Sequence, residues 1–236
     1  MNYRRIATLT GWLWIVTFVT SILARLFFYG RVLDKEGSYV TGAGSDARTL
    51  VAIGALLEIL LIISNVGTAV VPFSIHRRVH EAGAVAYVAA RLVECTFIAV
   101  GIVCMLAITS LREDAPSGIN AAVGQGIFDV YEWTFRLGPG VIVGVGNGLI
   151  LGWLMYTSRL VPPRLALFGL VGGPLIIISG ALVILGAIEA SGPVQAVMTI
   201  PEFIWELGIG IYLIARGYRT SSPALAGTQH SPSPTA

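Results

Sequence analysis

The sequence predicts an all-α protein, a polytopic membrane bundle of six transmembrane helices, and three observations carry that prediction. Hydrophobic residues fill 55% of the 236 positions and charged residues 12%, against roughly 25% charged in soluble domains. Mean hydropathy is +0.80. The apolar residues fall into six runs of about the length that crosses a hydrocarbon core. The Lys and Arg residues gather in alternate connections rather than evenly along the chain.

After a basic leader with Arg4 and Arg5, the first run covers about 6–29. Trp12 and Trp14 stand near one end and Phe27, Phe28 and Tyr29 at the other, the distribution of interfacial aromatics. Its apolar core is longer than that of a secretory signal, so it reads as a retained span. Residues 30–48 are a polar loop with Asp34, Lys35, Glu36 and Asp46. The second span, about 50–72, carries Glu58 and Asn65 seven residues apart and thus on one helix face. A basic turn follows, His76-Arg77-Arg78-Val79-His80-Glu81.

The third span, about 84–110, contains Arg91 and Glu94. Its Cys95 and Cys104 are nine residues apart, on nearly opposite faces, and cannot pair with each other; no loop cysteine indicates a disulfide framework or a zinc site. Residues 111–132 read as a polar connection with a short interfacial helix around 127–133. The fourth span, about 137–156, places Gly140, Gly144, Gly148 and Gly152 at four-residue spacing, a small-xxx-small seam that lets another backbone approach. Pro162-Pro163 marks a turn. The fifth span, about 165–188, should kink at Pro174, which removes a helical hydrogen bond. The sixth, about 197–215, contains Pro201, Glu202, Trp205 and Glu206. Residues 1–219 therefore form one transmembrane domain, and 220–236, rich in Ser, Pro, Thr and Ala, read as a disordered tail.

Six spans put both termini on one side. That side holds Arg4, Arg5, Arg77, Arg78, Arg159, Arg164, Arg216 and Arg219 against Glu81 alone, while the other mixes five basic with eight acidic residues. The positive-inside rule makes the terminal side, and the tail, cytoplasmic. No basic face or stripe suggests nucleic acid as a partner.

Ionisable groups inside spans are costly and face the bundle interior or a cavity. Counting about 1.5 Å per residue from the span ends brings Glu58, Arg91, Glu94, Asn147 and Glu206 to similar depth near mid-membrane. Asn65 shares the face of Glu58, and Glu202 lies one turn nearer the surface, where a helix start at Pro201 would expose it. One Arg cannot neutralise three carboxylates, so Glu58, Glu94 and Glu206 around Arg91 require a proton, a cation or water to complete the group. A purely structural alternative is a packed ion-pair network that fixes the bundle. Arg25 reads as snorkelling to the headgroups. Glu132 and Arg136 are an i,i+4 pair at the outer interface and read as a solvated salt bridge, with gating of an entrance as the alternative. His76 and His80 have metal-pair spacing without a third ligand, and read as part of a basic turn.

The spans hold no His, which speaks against paired-His haem, His-liganded zinc hydrolysis and Ser-His proteolysis in the membrane. They hold no Asp, which speaks against Asp-rich, magnesium-assisted prenyl or phosphatidyl transfer, and no phosphate-cradling loop is present. No metal or cofactor is expected.

The order of several motifs is itself informative: Arg5-Ile6-Ala7-Thr8-Leu9-Thr10-Gly11-Trp12-Leu13 at the start, Arg91-Leu92-Val93-Glu94 in the third span, Leu151-Gly152-Trp153-Leu154-Met155-Tyr156-Thr157-Ser158 with Pro163-Arg164 after it, and Pro201 with Glu206-Leu207 in the sixth. In these pieces the chain resembles the bacterial six-span membrane family catalogued as domain of unknown function 4386. The resemblance covers all but the tail and implies a six-span fold in a bacterial cytoplasmic membrane, with no reaction attached. Asn147 departs from it, standing near a position where relatives can carry His, so a His-dependent role does not carry over.

Three functions stay open on these residues. The Glu/Arg/Asn centre binds a proton, small solute or lipid, as in a carrier; or it is a membrane enzyme using Glu acid/base chemistry on a lipid or isoprenoid; or it organises an accessory subunit. The expected partners are the bilayer and a small-molecule or lipid ligand.

Overall fold

The computed structural model describes residues 2–33, 40, 47–114 and 121–226. Most of the 30–48 loop, with Asp34, Lys35, Glu36 and Asp46, lies outside the described residues, as does the tail from 227 onward. Six helices are long and apolar enough to cross a membrane: Tyr3–Tyr29, Arg48–Val70, Glu81–Arg112, Ala122–Ser158, Pro163–Ile184 and Pro193–Ala215. Each span packs against its neighbours in sequence and the sixth closes on the first, so the six form a ring. The outward faces carry exposed Leu56, Ile63, Val103, Ile178 and Ile211, as lipid contact requires. Among the described residues there are no strands.

Lipid is as apolar as the side chains, so helix contact in a bilayer rests on close packing of small residues. A Cβ on Gly11 would lie 2.8 Å from the Gly210 carbonyl oxygen, which brings the first and sixth spans together. The glycine seam of the fourth span meets the fifth: a Cβ on Gly144 would lie 2.7 Å from the Gly173 oxygen, and Gly152 abuts Leu170. Polar pairs supplement these contacts. Thr17 donates to Ser64 at 3.0 Å between the first two spans, and Trp205 donates its indole N–H to the Asn147 carbonyl at 3.0 Å between the sixth and fourth.

Three stretches have the wider π turn: Leu23–Tyr29 at the end of the first span, and Gly138–Ile142 and Gly144–Leu151 in the fourth. Such turns often accompany functional sites, and here they carry Arg25, Pro139 and Asn147, all beside the cavities described below. Pro174 and Pro201 both lie inside continuous helices, Pro163–Ile184 and Pro193–Ala215. The sixth helix thus begins two turns before Glu202, and the helix-start exposure expected for that residue does not occur.

The fourth span differs from the sequence reading. Its helix begins at Ala121 and runs unbroken to Leu137 before the π turns, so most of the connection expected at 111–132 is helical. Tyr131 and Thr134 are buried on one face and Gln125, Asp129, Glu132 and Arg136 lie on another; Gln125 donates to Asp129 one turn on, at 2.9 Å. The charged residues disguised an amphipathic helical period as loop.

At the end of the bundle bearing both termini, Arg4 donates to the Ile214 carbonyl at 2.7 Å and Arg78 to the Tyr3 hydroxyl at 2.9 Å. A buried cluster of Trp14, Ile75, Tyr87, Leu154, Leu160, Trp205 and Leu213 closes the interior there. The start of the tail joins it, against expectation. Ser222 is fully buried and donates to the Ser158 carbonyl at 2.7 Å, and Leu225 packs into the cluster from the short helix Pro223–Ala226. Compositional bias hid one anchoring Ser and one Leu. Truncation before Thr220 is therefore expected to lower stability by about 2 kcal/mol, the value of burying one large aliphatic side chain. Thermal melting of the truncated protein in detergent checks this, and an unchanged melting temperature would show that the docking contributes nothing.

Candidate functional site

The ring encloses the predicted polar residues at its centre. Arg91 and Glu94 sit one turn apart on the third span, both almost fully buried, with Arg91 Nη1 2.7 Å from Glu94 Oε2. The second span supplies the rest of their shell. Asn65 Nδ2 donates to Glu94 Oε1 at 3.1 Å, and Arg91 Nε donates to Thr68 Oγ1 at 3.2 Å. The guanidinium also lies 4.8 Å from the centre of the Trp14 ring and 5.9 Å from that of Tyr87. Arg91 is therefore held from three helices, and its charge is committed to Glu94.

Two more carboxylates share that space from the sixth span. Glu206 accepts a short hydrogen bond from Asn147 Nδ2. Glu202 is 2% exposed, and neither of its carboxyl oxygens has a hydrogen-bond partner. It fits because glycines face it: a Cβ on Gly172 would lie 2.7 Å, and one on Gly148 2.9 Å, from Glu202 Oε2. Arg91, Glu94, Glu202 and Glu206, with Thr17, Ser21 and Ile176 among others, line a cavity of about 150 Å³. One cation thus faces three carboxylates, one of them bare.

Glu58 is not part of this group. It accepts a hydrogen bond from the Tyr29 hydroxyl at 3.1 Å and lines a second cavity of about 330 Å³ with Arg25, Ile22, Leu61, Tyr131 and Phe135. Depth alone, which is what residue counting gives, does not distinguish two sites at different angles around a ring. The two cavities adjoin, since Ser21, Leu61, Ile98, Pro139 and Thr199 line both.

The second cavity shares Arg25 and Leu26 with a third, of about 570 Å³, lined also by Asp129, Glu132, Trp133, Arg136 and Ser191. This vestibule lies at the end of the bundle away from the termini. Arg25, expected to snorkel toward the headgroups, has partners within the bundle. Its Nη2 is 2.8 Å from Glu132 Oε1, its Nη1 donates to the Tyr131 hydroxyl at 3.0 Å, and it stands 4.6 Å from the centre of the Phe135 ring. Glu132 Oε2 also faces Arg136 at 3.6 Å. The expected i,i+4 pair is present, as part of a three-residue bridge between the first and fourth spans.

A family model described as a domain of unknown function, DUF4386, matches residues 9–217. The chain belongs to the DUF4386 family. No curated protein and no solved structure matches it. The DUF4386 match runs from the first span to just past the sixth, so every residue of the three cavities lies within it.

Sequence reading missed several participants in this DUF4386 bundle. Trp14 was expected at an interface and is instead buried over Arg91. Thr68 and Tyr87 went unremarked, although Thr68 lies one turn after Asn65 and Tyr87 one turn before Arg91, a spacing that put both on the polar faces.

His76 and His80 look at different neighbours. His80 Nδ1 accepts the Gly83 N–H at 2.9 Å, capping the third span. His76, outside the spans, is 2% exposed, with no partner for either ring nitrogen. It is buried in the bundle's closed end rather than displayed on a basic turn. Burial pushes its pKa down to about 4 from 6.5. Unfolded chains therefore take up the proton first, so the stabilisation from neutral His76 is complete above about pH 6.5 and is lost as pH falls toward 4. Melting temperature is expected to drop over that window, by as much as about 3 kcal/mol in stability at the acid end, and less steeply in His76→Leu. Parallel pH profiles of the two proteins would remove the assignment.

Proposed function

We propose that the protein is a carrier-like membrane protein whose centre binds a proton or a small monovalent cation at Glu202 and Glu206. The observation that carries this reading is the bare, buried Glu202 carboxylate beside an Arg91 already neutralised by Glu94. An unpaired carboxylate in a membrane interior is costly unless a proton or cation joins it. The row of neighbouring cavities, from the vestibule through the second cavity to the central one, supports a path of entry from one end of the bundle. Among the described residues no three acidic, His or Cys side chains converge closely enough to hold a metal ion, which favours a singly charged ligand. At about 150 Å³ the central cavity is smaller than the several hundred Å³ of sites that enclose drug-sized molecules, and this favours a small solute over a lipid substrate.

The basic residues orient the bundle with both termini in the cytoplasm and the vestibule facing outward, in a bacterial cytoplasmic membrane. A reporter fused to the C-terminus is expected to give a cytoplasmic signal; an external signal would reverse the orientation. For the binding reading, the purified full-length protein is titrated with methylammonium by calorimetry at neutral pH. Saturable binding that competes with protons and is lost in Glu202→Gln/Glu206→Gln is expected. Absence of binding, together with no proton release or uptake on comparing the wild type with that variant, would overturn the assignment and leave the packed, structural reading in its place.

A further inference from the structure

The central cavity is not the only space within reach of its carboxylates. The adjoining chamber, at about 330 Å³, is more than twice as large, and its wall includes Ile22, Leu61, Ile98, Phe135 and Pro139, with Arg25 and Glu58 also in the lining. A proton or a metal ion has no use for such a volume. The two spaces are neighbours that share Ser21, Leu61, Ile98, Pro139 and Thr199 in their linings. Movement of those shared side chains would let one molecule lie across both, with a charged head in the small polar cavity and an uncharged body in the larger one.

We infer that the two cavities form a single bipartite site for a small amphipathic amine, its ammonium at Glu202 and Glu206 and its apolar body in the chamber. The proposal rests on the reading of Glu202 and Glu206 as a cation site and adds the class of cation. Glu202 suits the head because both its oxygens lack donors, and Glu206 because it has one donor, Asn147, for two oxygens. Glu58 is the weaker candidate, since the Tyr29 hydroxyl already donates to it. The chamber wall suits an uncharged aromatic body: Tyr131 and Phe135 line it, and their rings already have a cation in Arg25, 5.4 Å and 4.6 Å from the two ring centres. Arg25 also lines both the vestibule and the chamber and is held by Glu132, so at the mouth Asp129 and Glu132 are balanced by Arg25 and Arg136, and the attraction for an ammonium lies deeper, at Glu202 and Glu206.

The test compares three probes on the wild-type, full-length protein by calorimetry in lipid nanodiscs: methylammonium, phenethylammonium and toluene. Burying a phenyl-sized group is expected to make phenethylammonium bind roughly tenfold to a hundredfold more tightly than methylammonium. Toluene, with the body and no charge, is expected to bind at least tenfold more weakly than phenethylammonium. Ile22→Phe, which narrows the chamber at a residue that does not line the central cavity, is expected to abolish the preference while methylammonium still binds; Thr134→Ile is the second such variant should the first fail to fold. Equal affinity for the two ammonium ions would overturn the bipartite site and leave the simple cation site standing. Binding of neither ammonium would remove both. Toluene binding as tightly as phenethylammonium would show an apolar chamber that ignores charge, and would also overturn the proposal.

Discussion

Arg91→Ala is expected to be the most damaging single substitution in the bundle, at about 3 to 5 kcal/mol, the usual cost of removing one partner of a buried ion pair. The loss has identifiable parts. Glu94 keeps only the Asn65 amide, Thr68 Oγ1 loses the Arg91 donor, and the face of Trp14 loses its cation. Glu94 would then join Glu202 and Glu206 as a third carboxylate without a counter-charge. Adding Glu94→Gln removes the stranded charge and is expected to restore part of the stability. Glu58→Gln is expected to restore none, because Glu58 sits in the neighbouring cavity against Tyr29. Detergent melting of the singles and doubles, read as double-mutant cycles, separates these cases. Additive losses for Arg91→Ala and Glu94→Gln would mean the 2.7 Å pair carries no coupling, and the account of the polar centre would fail with it.

The second large effect is expected at the contact of the fourth and fifth spans. A methyl group on Gly148 would run into the Gly173 backbone, and one on Gly173 would lie 2.6 Å from the Gly144 oxygen. Backbone cannot swing aside as a side chain does, so Gly148→Ala should sit at the upper end of overpacking costs, about 3 kcal/mol. It should also disturb the site, since the same methyl would lie 2.9 Å from Glu202 Oε2. Gly126→Ala is the control. Nothing approaches within 4 Å of that position, and within its helix alanine is expected to be favoured by up to about 1 kcal/mol. Equal melting temperatures for the two variants would show that the helices separate easily at the seam.

These contacts also show why some of the site could be read from the sequence and some could not. Arg91, Glu94, Asn147, Glu202 and Glu206 announce themselves because ionisable and amide groups are conspicuous in apolar runs, and the glycine row because its spacing is regular. What hydropathy does not contain is angle around the ring. Glu58 and Glu206 have similar depth and opposite surroundings, one facing Tyr29 and the other Asn147. Helix length was likewise obscured where charge and amphipathicity coincide, from Ala121 to Leu137. Trp14 is a residue type that serves equally at an interface and over a buried guanidinium, and only its place against Arg91 decides between them.

The sealed terminal end and the open vestibule have an electrical consequence. If a cation binds as proposed, entering from the vestibule and stopping at Glu202, it will have crossed part of the bilayer, so the transmembrane voltage would act on its binding. A full crossing is worth about 2.3 kcal/mol per 100 mV; a stop near the middle is worth roughly half of that, or close to a sevenfold change in occupancy. A membrane negative on the terminal side would then fill the proposed site, and a reversed potential would empty it. The protein would thus sense polarisation with no moving helix, through the depth of a single carboxylate.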